Sequence, residues 1–351
     1  MNQQHTDERF MARCLQLAAM GQGHTYPNPM VGAVVVHRGK IIGEGYHCKA
    51  GEAHAEVNAI NSVKDAALLR ESTIYVSLEP CAHFGKTPPC SLLIIEKKIP
   101  RVVVGCIDSF SEVAGRGVAM LQQAGVSVTV GVLEDECRYI NRRFFTFFEK
   151  KRPFVMLKWA QTLDGLMDIE RTSTHWGEPT WITNSQALRE VHRMRAREQA
   201  ILVGYRTALK DNPSLTVRHW VGNQPLRVVI DREASLPPSL NLFDHRHPTL
   251  LVTAKKVASS ENIRVLTIDF NQHFLTTLLR QLAAMGIQSL IVEGGAATLQ
   301  RFIDAGLWDE AHVYVGDKWF GRGVKAPVLN AIQLSSQTWG DSRLFIFKPQ
   351  G

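Results

Sequence analysis

Two hydrophobic patterns alternate along the first half of the chain, one with helical and one with strand spacing. Apolar residues spaced three and four apart predict a helix over 10–20, capped by Thr6. The stretch VGAVVVHRGKIIGEGY predicts two strands that turn at residues 38–40. Further helices are predicted over 54–63, 88–98 and 117–124, with strands at TIYVSL, RVVVGC and VSVTV. This order is typical of an α/β sandwich with a mixed sheet.

The pattern predicts a domain boundary near residue 150. A strongly apolar helix, YINRRFFTFF, ends at EKKRP, where basic residues favour a helix C-terminus and Pro153 prevents continuation. Beyond it the rhythm restarts, with strands at FVMLKWA, AILVG, RVVID, TLLVTA, VLTIDF, SLIVEGG, AHVYVG and RLFIF and helices over 184–197, 272–285 and up to 304. Because 351 residues exceed the usual size of one core, we predict domains over 1–150 and 151–351.

Composition points to an ordinary globular enzyme. Hydrophobic residues make up 45% and charged residues 21%, and no apolar run is long enough to cross a bilayer. The N-terminal residues include acidic side chains, unlike a secretory signal, so we expect a cytoplasmic protein. All six cysteines lie in the first 137 residues of a chain too long to need disulfides, which favours free thiols or a metal site.

The charge favours an anionic partner of small size. The net charge is +7 and the pI is about 9.1, which permits nucleic acid or a phosphorylated small molecule. Lys and Arg are dispersed, without the basic run interleaved with aromatic residues that follows a nucleic-acid strand. A phosphate on a small substrate is therefore the better fit.

One constellation carries hydrolytic chemistry. The segment EPCAHFGKTPPC supplies Cys81 and Cys90, and HAEVNAI supplies His54 and Glu56. Catalytic zinc takes three ligands of this kind and keeps a fourth position for water. Glu56 would then move a proton from that water to a leaving amine, which is hydrolytic deamination.

Spacing alone leaves a second interpretation open, in which the cysteines are core thiols and His54 is a surface residue. An H-x-E pair followed by a P-C pair after a strand resembles the zinc-deaminase signature and favours the metal site. The sequence departs from that signature because eight residues, rather than two, separate Cys81 from Cys90.

Four motifs in this half, YPNPMVGAVVV, GEGYHCKAGEAHAEVNAI, LEPCAHFGKTPPC and VAGRG, together resemble the bifunctional riboflavin-biosynthesis deaminase and reductase family. The resemblance implies a cytidine-deaminase-like three-layer α/β/α domain. It also implies deamination of 2,5-diamino-6-(5-phosphoribosylamino)pyrimidin-4-one. The family positions that hold the ring and phosphate fall on Asn28, His47, His83 and Lys86. Without the motif, Asn28 reads as a turn residue and His47 as a surface histidine. Phe110 departs from the family pattern.

The second half lacks the G-x-G-x-x-G turn of a Rossmann domain. The sequence LIVEGGAATLQRF offers another phosphate site, with two glycines between a strand and a helix N-terminus. Alone, such a pair is more often a tight connection.

The motifs KWAQTLDG, WITN, RMRA, GYRTALKDNPSLTVR and VEGGAATL resemble the reductase half of the same family. The resemblance implies a dihydrofolate-reductase-like α/β fold that uses NADPH to deliver hydride to the ribosyl C1′, giving a ribityl chain. The resemblance implies that the NADPH site is lined by Ala160, Thr162, Trp181, Thr183, Thr207, Asp211, Gly295, Ala296, Ala297 and Thr298. The substrate is likewise contacted by Arg195, Leu215, Arg218 and Glu293.

Simpler interpretations of these residues remain. Arg195 lies on a helix face with several other arginines, and Asp211 precedes an Asn-Pro turn. Pro179 stands where the family commonly has a serine. The residues themselves do not select NADPH over NADH, and they identify no general acid for the reduction.

Two other classes of function compete with the bifunctional enzyme. One is a nucleic-acid base deaminase with an RNA-docking second domain, which would show a steep salt dependence of binding. The other is a non-enzymatic protein in which zinc stabilises a loop, although structural zinc normally has four protein ligands. The partners we expect are a phosphorylated pyrimidine and further copies of the chain, but no nucleic acid and no membrane.

Overall fold

The computed structural model describes residues 3–83, 88–109, 114–171, 177 and 179–350. Contacts between residues divide the chain into two compact units, Met1–Lys151 (unit 1) and Arg152–Gly351 (unit 2). Each unit has its own sheet and its own hydrophobic cores. Among the described residues, no helix combines the length and apolar character needed to cross a membrane.

Unit 1 contains a five-stranded sheet within its described residues, in the order β2-β1-β3-β4-β5. The strands are β1 Gly32–His37, β2 Lys40–Tyr46, β3 Ser72–Leu78, β4 Arg101–Cys106 and β5 Ser127–Val130. The helices are α1 Gln3–Ala19, α2 Ala55–Asn61, α3 Cys90–Glu96, α4 Arg116–Gln123, α5 Glu134–Ile140 and α6 Arg142–Lys150. Strand β1 pairs antiparallel with β2 and β3, whereas β3, β4 and β5 run parallel.

Alternating side chains of this sheet enter two separate cores, which makes three layers. Val34 and Val36 pack with α1, α5 and α6, while Ala33 and Val35 pack with α2, α3 and α4. Successive strand residues point to opposite faces, so the run GAVVV supplies both cores at once. The predicted three-layer α/β/α fold is confirmed.

Two helix boundaries in unit 1 differ from prediction. Helix α1 begins by Gln3, before Thr6, so Thr6 is not its cap; the side chain of Gln3 donates to that of Asp7 one turn on and supports the early start. The last predicted helix is divided at Asn141, whose side-chain amide accepts from the N–H of Met30 at 2.8 Å and donates to its carbonyl. Met30 is 111 residues away from Asn141, so the sequence around Asn141 does not indicate the break.

Unit 2 contains a nine-stranded sheet within its described residues, in the order β11-β10-β9-β8-β12-β6-β13-β16-β15. Its strands are β6 Phe154–Gln161, β8 Ala200–Gly204, β9 Leu226–Ile230, β10 Thr249–Thr253, β11 Ile263–Thr267, β12 Ser289–Val292, β13 Glu310–Gly316, β15 Ala331–Trp339 and β16 Ser342–Pro349; β7 Leu166–Asp168 pairs with β14 Val324–Lys325. Its helices are α7 Ser185–Arg197, α8 Tyr205–Asp211, α9 Phe274–Ala284 and α10 Ala296–Asp304.

The strands from β11 to β13 run parallel, and β16 and β15 add antiparallel at one edge. Side chains from both faces of the central strands are buried, because Val155 and Leu157 belong to one core and Phe154 and Met156 to another. Helices cover both faces, as expected for parallel strands. The predicted α/β class is confirmed.

Strand β1 approaches α1 so closely that only glycine fits at residue 32. A methyl group on Gly32 would overlap the carbonyl oxygen of Cys14 in α1. Because the obstructing atom belongs to the backbone, it cannot move aside as a side-chain end would.

We therefore expect Gly32→Ala to lower the free energy of unfolding of unit 1 by about 3 kcal/mol. All seven tryptophans follow residue 151, so tryptophan fluorescence reports unit 2 and serves as an internal control. Urea unfolding followed by circular dichroism should show an earlier transition, while the fluorescence transition keeps its midpoint. Unchanged unfolding by both signals would contradict the contact.

Candidate functional site

Three potential zinc ligands converge in unit 1. The Nδ1 atom of His54 lies 3.6 Å from Sγ of Cys81 and 3.4 Å from Sγ of Cys90, and the ligand atoms all lie within 4.8 Å of one another. Tetrahedral zinc with Zn–N near 2.05 Å and Zn–S near 2.3 Å separates such atoms by about 3.6 Å. The distances and the donor set both fit zinc.

Helix and strand ends place these ligands. His54 precedes α2 with an extended backbone, φ −71° and ψ 164°. Cys90 opens α3 after Pro89, and Cys81 follows β3 by three residues. The N–H groups at the start of α3 favour a thiolate at Cys81, whose sulfur accepts from the Cys90 N–H. The contact with Cys81 and burial raise the pKa of Cys90 itself.

The same arrangement explains how Glu56 can face the ligands. On one continuous helix, His54 and Glu56 would point in different directions around the axis. His54 lies outside α2 instead, and Glu56 lies in its first turn. The Glu56 side chain is buried, 3% exposed, and burial together with the nearby Cys81 sulfur raises its pKa to about 7.

Hydrogen bonds around Cys81 favour its ionised form. The Cys90 thiol contacts Cys81, whose sulfur also accepts from the Cys90 backbone N–H at 3.3 Å. Cys90 and His54 together lower the pKa of Cys81, which opposes the effect of burial. A thiolate at this position is the form required of a zinc ligand.

The predicted substrate residues of unit 1 divide into three groups. Asn28 and His47 contact each other, with 3.1 Å between Nδ2 and Nε2, and the His47 ring lies edge-on to His54 at 5.5 Å. Burial lowers the pKa of His47, so it is neutral at pH 7. His83 is exposed. Lys86 lies outside the described residues, as does Phe110.

Glu79 supports the turn that carries Cys81. Its buried carboxylate accepts from the backbone N–H groups of Asp108, Gly115, Gly117 and Val118 at 2.8–3.3 Å. These donors belong to the GRG segment of the VAGRG motif and its surroundings, so the motif anchors the zinc-ligand turn. The sequence interpretation did not include Glu79, although a carboxyl group directly after a buried strand was a usable signal.

In unit 2, the ends of β8 and β12 meet with very little space between them. A methyl group on Gly294 would lie 2.5 Å from the backbone nitrogen of Gly204, and one on Gly295 would lie 2.9 Å from Oγ1 of Thr207. Thr298 similarly fills the space over Gly204. The predicted cofactor residues Thr207 and Gly295–Thr298 are therefore neighbours at the N-terminus of α10.

A compact ionic cluster follows β12. Arg195 donates to both oxygens of Glu293, at 3.0 and 2.7 Å, and Lys158 Nζ lies 3.8 Å from Glu293. Burial opposes ionisation of Glu293, but Arg195 and Lys158 lower its pKa to about 2. Burial opposes ionisation of Lys158 as well and lowers its pKa.

The predicted substrate residues Leu215 and Arg218 belong to a turn beside this cluster. Arg195 Nη1 donates to the Thr216 carbonyl at 3.3 Å, and Arg218 Nη1 donates to Thr216 Oγ1 at 3.1 Å. Leu215 is buried with a positive φ of 53°. The structure thus brings all four predicted substrate residues of unit 2 into one neighbourhood.

The other predicted cofactor residues are spread more widely. Ala160 and Thr162 lie at the end of β6, where Thr162 accepts from the N–H of Leu166. Trp181 is 55% exposed, Thr183 is half-buried, and Asp211 pairs with Arg171. Among the described residues, these five share no side-chain hydrogen bond with the Gly295 turn.

Lys158 is a polar residue that the sequence interpretation missed. It interrupts the apolar strand FVMLKWAQ, and only 15% of its side chain is exposed. A lysine inside a buried strand was the available signal, because such a charge needs a partner.

Together, the fold and the two sites define a class: a zinc-dependent deaminase joined to a nucleotide-dependent reductase. The sequence matches two families, described as the cytidine and deoxycytidylate deaminase zinc-binding region over residues 4–106 and the RibD C-terminal domain over residues 153–339.

Curated relatives and solved structures agree with these matches. The chain is 41% identical to the riboflavin biosynthesis protein RibD of Aquifex aeolicus, over 91% of this chain and 89% of that protein. It is 40% identical to the riboflavin biosynthesis protein RibD of Bacillus amyloliquefaciens, over 92% of this chain and 87% of that protein. The crystal structure of the diaminohydroxyphosphoribosylaminopyrimidine deaminase/5-amino-6-(5-phosphoribosylamino)uracil reductase of Thermotoga maritima covers 99% of both chains, with TM-score 0.90 and 36% identity.

The chain belongs to the RibD family of bifunctional deaminase and reductase enzymes of riboflavin biosynthesis. It is a hydrolytic deaminase with a zinc-binding domain and an oxidoreductase whose reductase domain uses NADPH. The alternative of an RNA-docking second domain is not favoured, because residues 153–339 match a reductase domain.

Removing a ligand of the triad should remove the metal. We expect Cys90→Ser to lower bound zinc from about one ion per chain to below about one tenth, because three ligands leave no redundancy. Cys48→Ser is the matched control, since Cys48 is an exposed thiol outside the triad. Elemental analysis of the dialysed proteins measures both. Full zinc content in the Cys90 variant would contradict the assignment.

Proposed function

We propose that the residues brought together in each unit perform the two reactions of the family. The observation that supports this best is the triangle of His54, Cys81 and Cys90 with the buried Glu56 beside it. Three ligands with a neighbouring acid suit a catalytic zinc ion, whereas a structural ion normally has four protein ligands.

In the deaminase half, His54, Cys81 and Cys90 would hold the zinc, which when bound activates water for attack on the amino-bearing ring carbon. Glu56 is not a ligand, and it transfers a proton to the amino nitrogen so that the nitrogen leaves as ammonia. Its burial excludes bulk water from the transfer. The carbon–nitrogen bond breaks and a carbon–oxygen bond replaces it.

Asn28 and His47 orient the pyrimidine. Nδ1 of neutral His47 lies 3.2 Å from the carbonyl of Ala53, directly before His54, and its Nε2 meets Asn28. This chain of contacts fixes Asn28 relative to the metal ligands. His83 and Lys86, as implied by the resemblance, bind the substrate phosphate.

In the reductase half, Arg195, Leu215, Arg218 and Glu293 bind the phosphorylated ribose. Hydride transfer to C1′ breaks the bond from C1′ to the ring oxygen, which leaves as a hydroxyl group and needs a proton. Lys158 is a buried ammonium beside Glu293 and is the group we assign to deliver that proton.

NADPH would occupy the ends of β8 and β12. Thr207 and the turn Gly295–Thr298 hold its phosphates, and Ala160, Thr162, Trp181, Thr183 and Asp211 line the remainder. The cofactor supplies hydride when bound. The glycines support this placement because they let the ends of β8 and β12 pack closely, which brings Thr207 and Thr298 to the N-terminus of α10, where backbone N–H groups suit a phosphate.

We further propose that residues 1–150 and 151–351 act as separate catalytic domains of a cytoplasmic homo-oligomer that binds no nucleic acid. Dispersed positive charge supports a small phosphorylated partner rather than a polymer. Analytical sedimentation tests the oligomeric state, and RNA binding measured at several salt concentrations tests the absence of nucleic-acid binding.

Glu56→Gln should separate metal binding from catalysis. The amide preserves the shape of the side chain but cannot transfer the proton, so ammonia release should fall by about 10²- to 10⁴-fold. Zinc content and reduction of deaminated substrate should remain at wild-type levels. Ammonia assay, elemental analysis and NADPH absorbance measure the three quantities. Wild-type ammonia release in this variant would remove the proposed role.

Lys158→Met should impair the reduction and leave the deamination intact, the opposite of Glu56→Gln. Methionine fills a similar volume without a proton to donate, so NADPH oxidation with deaminated substrate should fall by about 10²-fold or more. Ammonia release should not change. Lys255→Met is the control, because Lys255 is an exposed lysine of the same unit. Reduction at the wild-type rate would rule out Lys158 as the acid.

A further inference from the structure

His192 is a buried histidine that the proposed mechanism does not use. It lies in α7, one helical turn before Arg195, and none of its surface is exposed. Its Nδ1 atom lies 3.0 Å from the backbone nitrogen of Arg218. Among the described residues, its Nε2 atom is buried and has no hydrogen-bond partner.

The contact with Arg218 determines the protonation state of the ring. A backbone N–H can only donate, so Nδ1 must accept with its lone pair and the single proton lies on Nε2. Burial lowers the pKa of His192 to about 4, and the cations Arg195 and Arg218 and the ring of His219 act in the same direction. Glu293 opposes them. The ring is therefore neutral at pH 7.

The turn that His192 contacts is fixed from several sides. Arg195 donates to the carbonyl of Thr216, and the side chain of Gln224 bonds both the N–H and the carbonyl of Val217. Nδ1 of His192 accepts from the backbone N–H of the next residue, Arg218. The His219 ring packs edge-on against the His192 ring, with 4.8 Å between ring centroids. Without that acceptor, the N–H of Arg218 would lose its bonding partner.

We propose that His192 is a positioning residue of the reductase site, which holds the backbone of Arg218 through Nδ1 so that the Arg218 guanidinium meets the substrate. The inference rests on the proposed function, in which Arg218 binds the substrate. His192 itself does not touch the reacting atoms. Its loss should therefore weaken substrate binding and leave the chemical step unchanged.

Three substitutions distinguish the two ring nitrogens. Asn carries its oxygen on Cγ, as histidine carries Nδ1, so His192→Asn keeps an acceptor for Arg218. Gln places its amide one bond further out, near the position of Nε2, and Leu removes both polar atoms. The matched series is thus His192→Asn, His192→Gln and His192→Leu.

The reductase reaction is measured with deaminated substrate and NADPH. We expect His192→Leu and His192→Gln to raise KM about tenfold with kcat within about twofold, the pattern of lost uniform binding. His192→Asn should stay within about threefold of wild-type KM. Retained activity in His192→Gln with loss in His192→Asn would overturn the proposal, because Nε2 would then be the acting atom. A fall in kcat at constant KM, or no effect of Leu, would overturn it as well.

A double-mutant cycle tests whether His192 acts through Arg218. In an Arg218→Ala background, His192→Leu should change KM by less than about twofold, since the group it positions is absent. Equal effects of His192→Leu in both backgrounds would overturn the proposal.

The cycle also separates this inference from the function on which it rests. If Arg218→Ala alone leaves KM unchanged, the proposed role of Arg218 fails. If Arg218→Ala raises KM and His192→Leu does not, only the role of His192 fails. Tryptophan fluorescence, which reports unit 2, serves as the folding control throughout. His192→Asn against His192→Gln decides the matter even where His192→Leu does not fold.

Discussion

Both sites depend on a carboxylate buried at the carboxyl end of a central parallel strand. Glu79 directly follows β3, and Glu293 directly follows β12. A buried carboxylate without partners would be strongly destabilising, so the surrounding chain must supply donors. In unit 1 the donors are four backbone N–H groups, and in unit 2 the donor is the Arg195 guanidinium, with the Lys158 ammonium as a second cation 3.8 Å away. The segments that supply these donors are the same ones that form the sites.

This constraint explains why functional residues from distant parts of the sequence meet. Parallel strands place all their carboxyl ends at one edge of the sheet, where connecting segments turn into helices. Cys81 follows β3 on the same segment as Glu79, and Gly295 follows β12 two residues after Glu293. The helices that begin there supply further groups, such as Cys90 at the start of α3.

Local patterns were sufficient to predict much of the fold and the metal site. The buried strands and the amphipathic helices have strong periodicity, and the zinc residues lie in short motifs beside predicted element ends. Strand β15 was missed because its residues are mostly exposed on both faces, which removes the strand signal. The break at Asn141 was missed because its cause is a bond to Met30, 111 residues away. Helix α8 was not predicted, because the sequence analysis assigned no element to its seven residues.

The residues missed at the sites share one property. Lys158 and His192 contact partners distant in sequence, Glu293 and Arg218. The role of such a charge or ring cannot be inferred from the sequence until its partner is known. The family motif located Arg195 and Arg218, but it gave no reason for their arrangement. The structure supplies that reason, since α7 contacts the 215–218 turn through two of its residues.

A count of hydrogen bonds distinguishes Glu79 from Glu293, the carboxylate proposed to bind the substrate. A carboxylate has about four acceptor positions. Glu79 receives four backbone N–H donors, so within the described residues its capacity is full and a ligand has no position to occupy. Glu293 receives two bonds from Arg195, while Lys158 at 3.8 Å lies beyond hydrogen-bond distance. Glu293 therefore keeps acceptor positions for a ribose hydroxyl, and its partners are side chains, which can rearrange as backbone groups cannot.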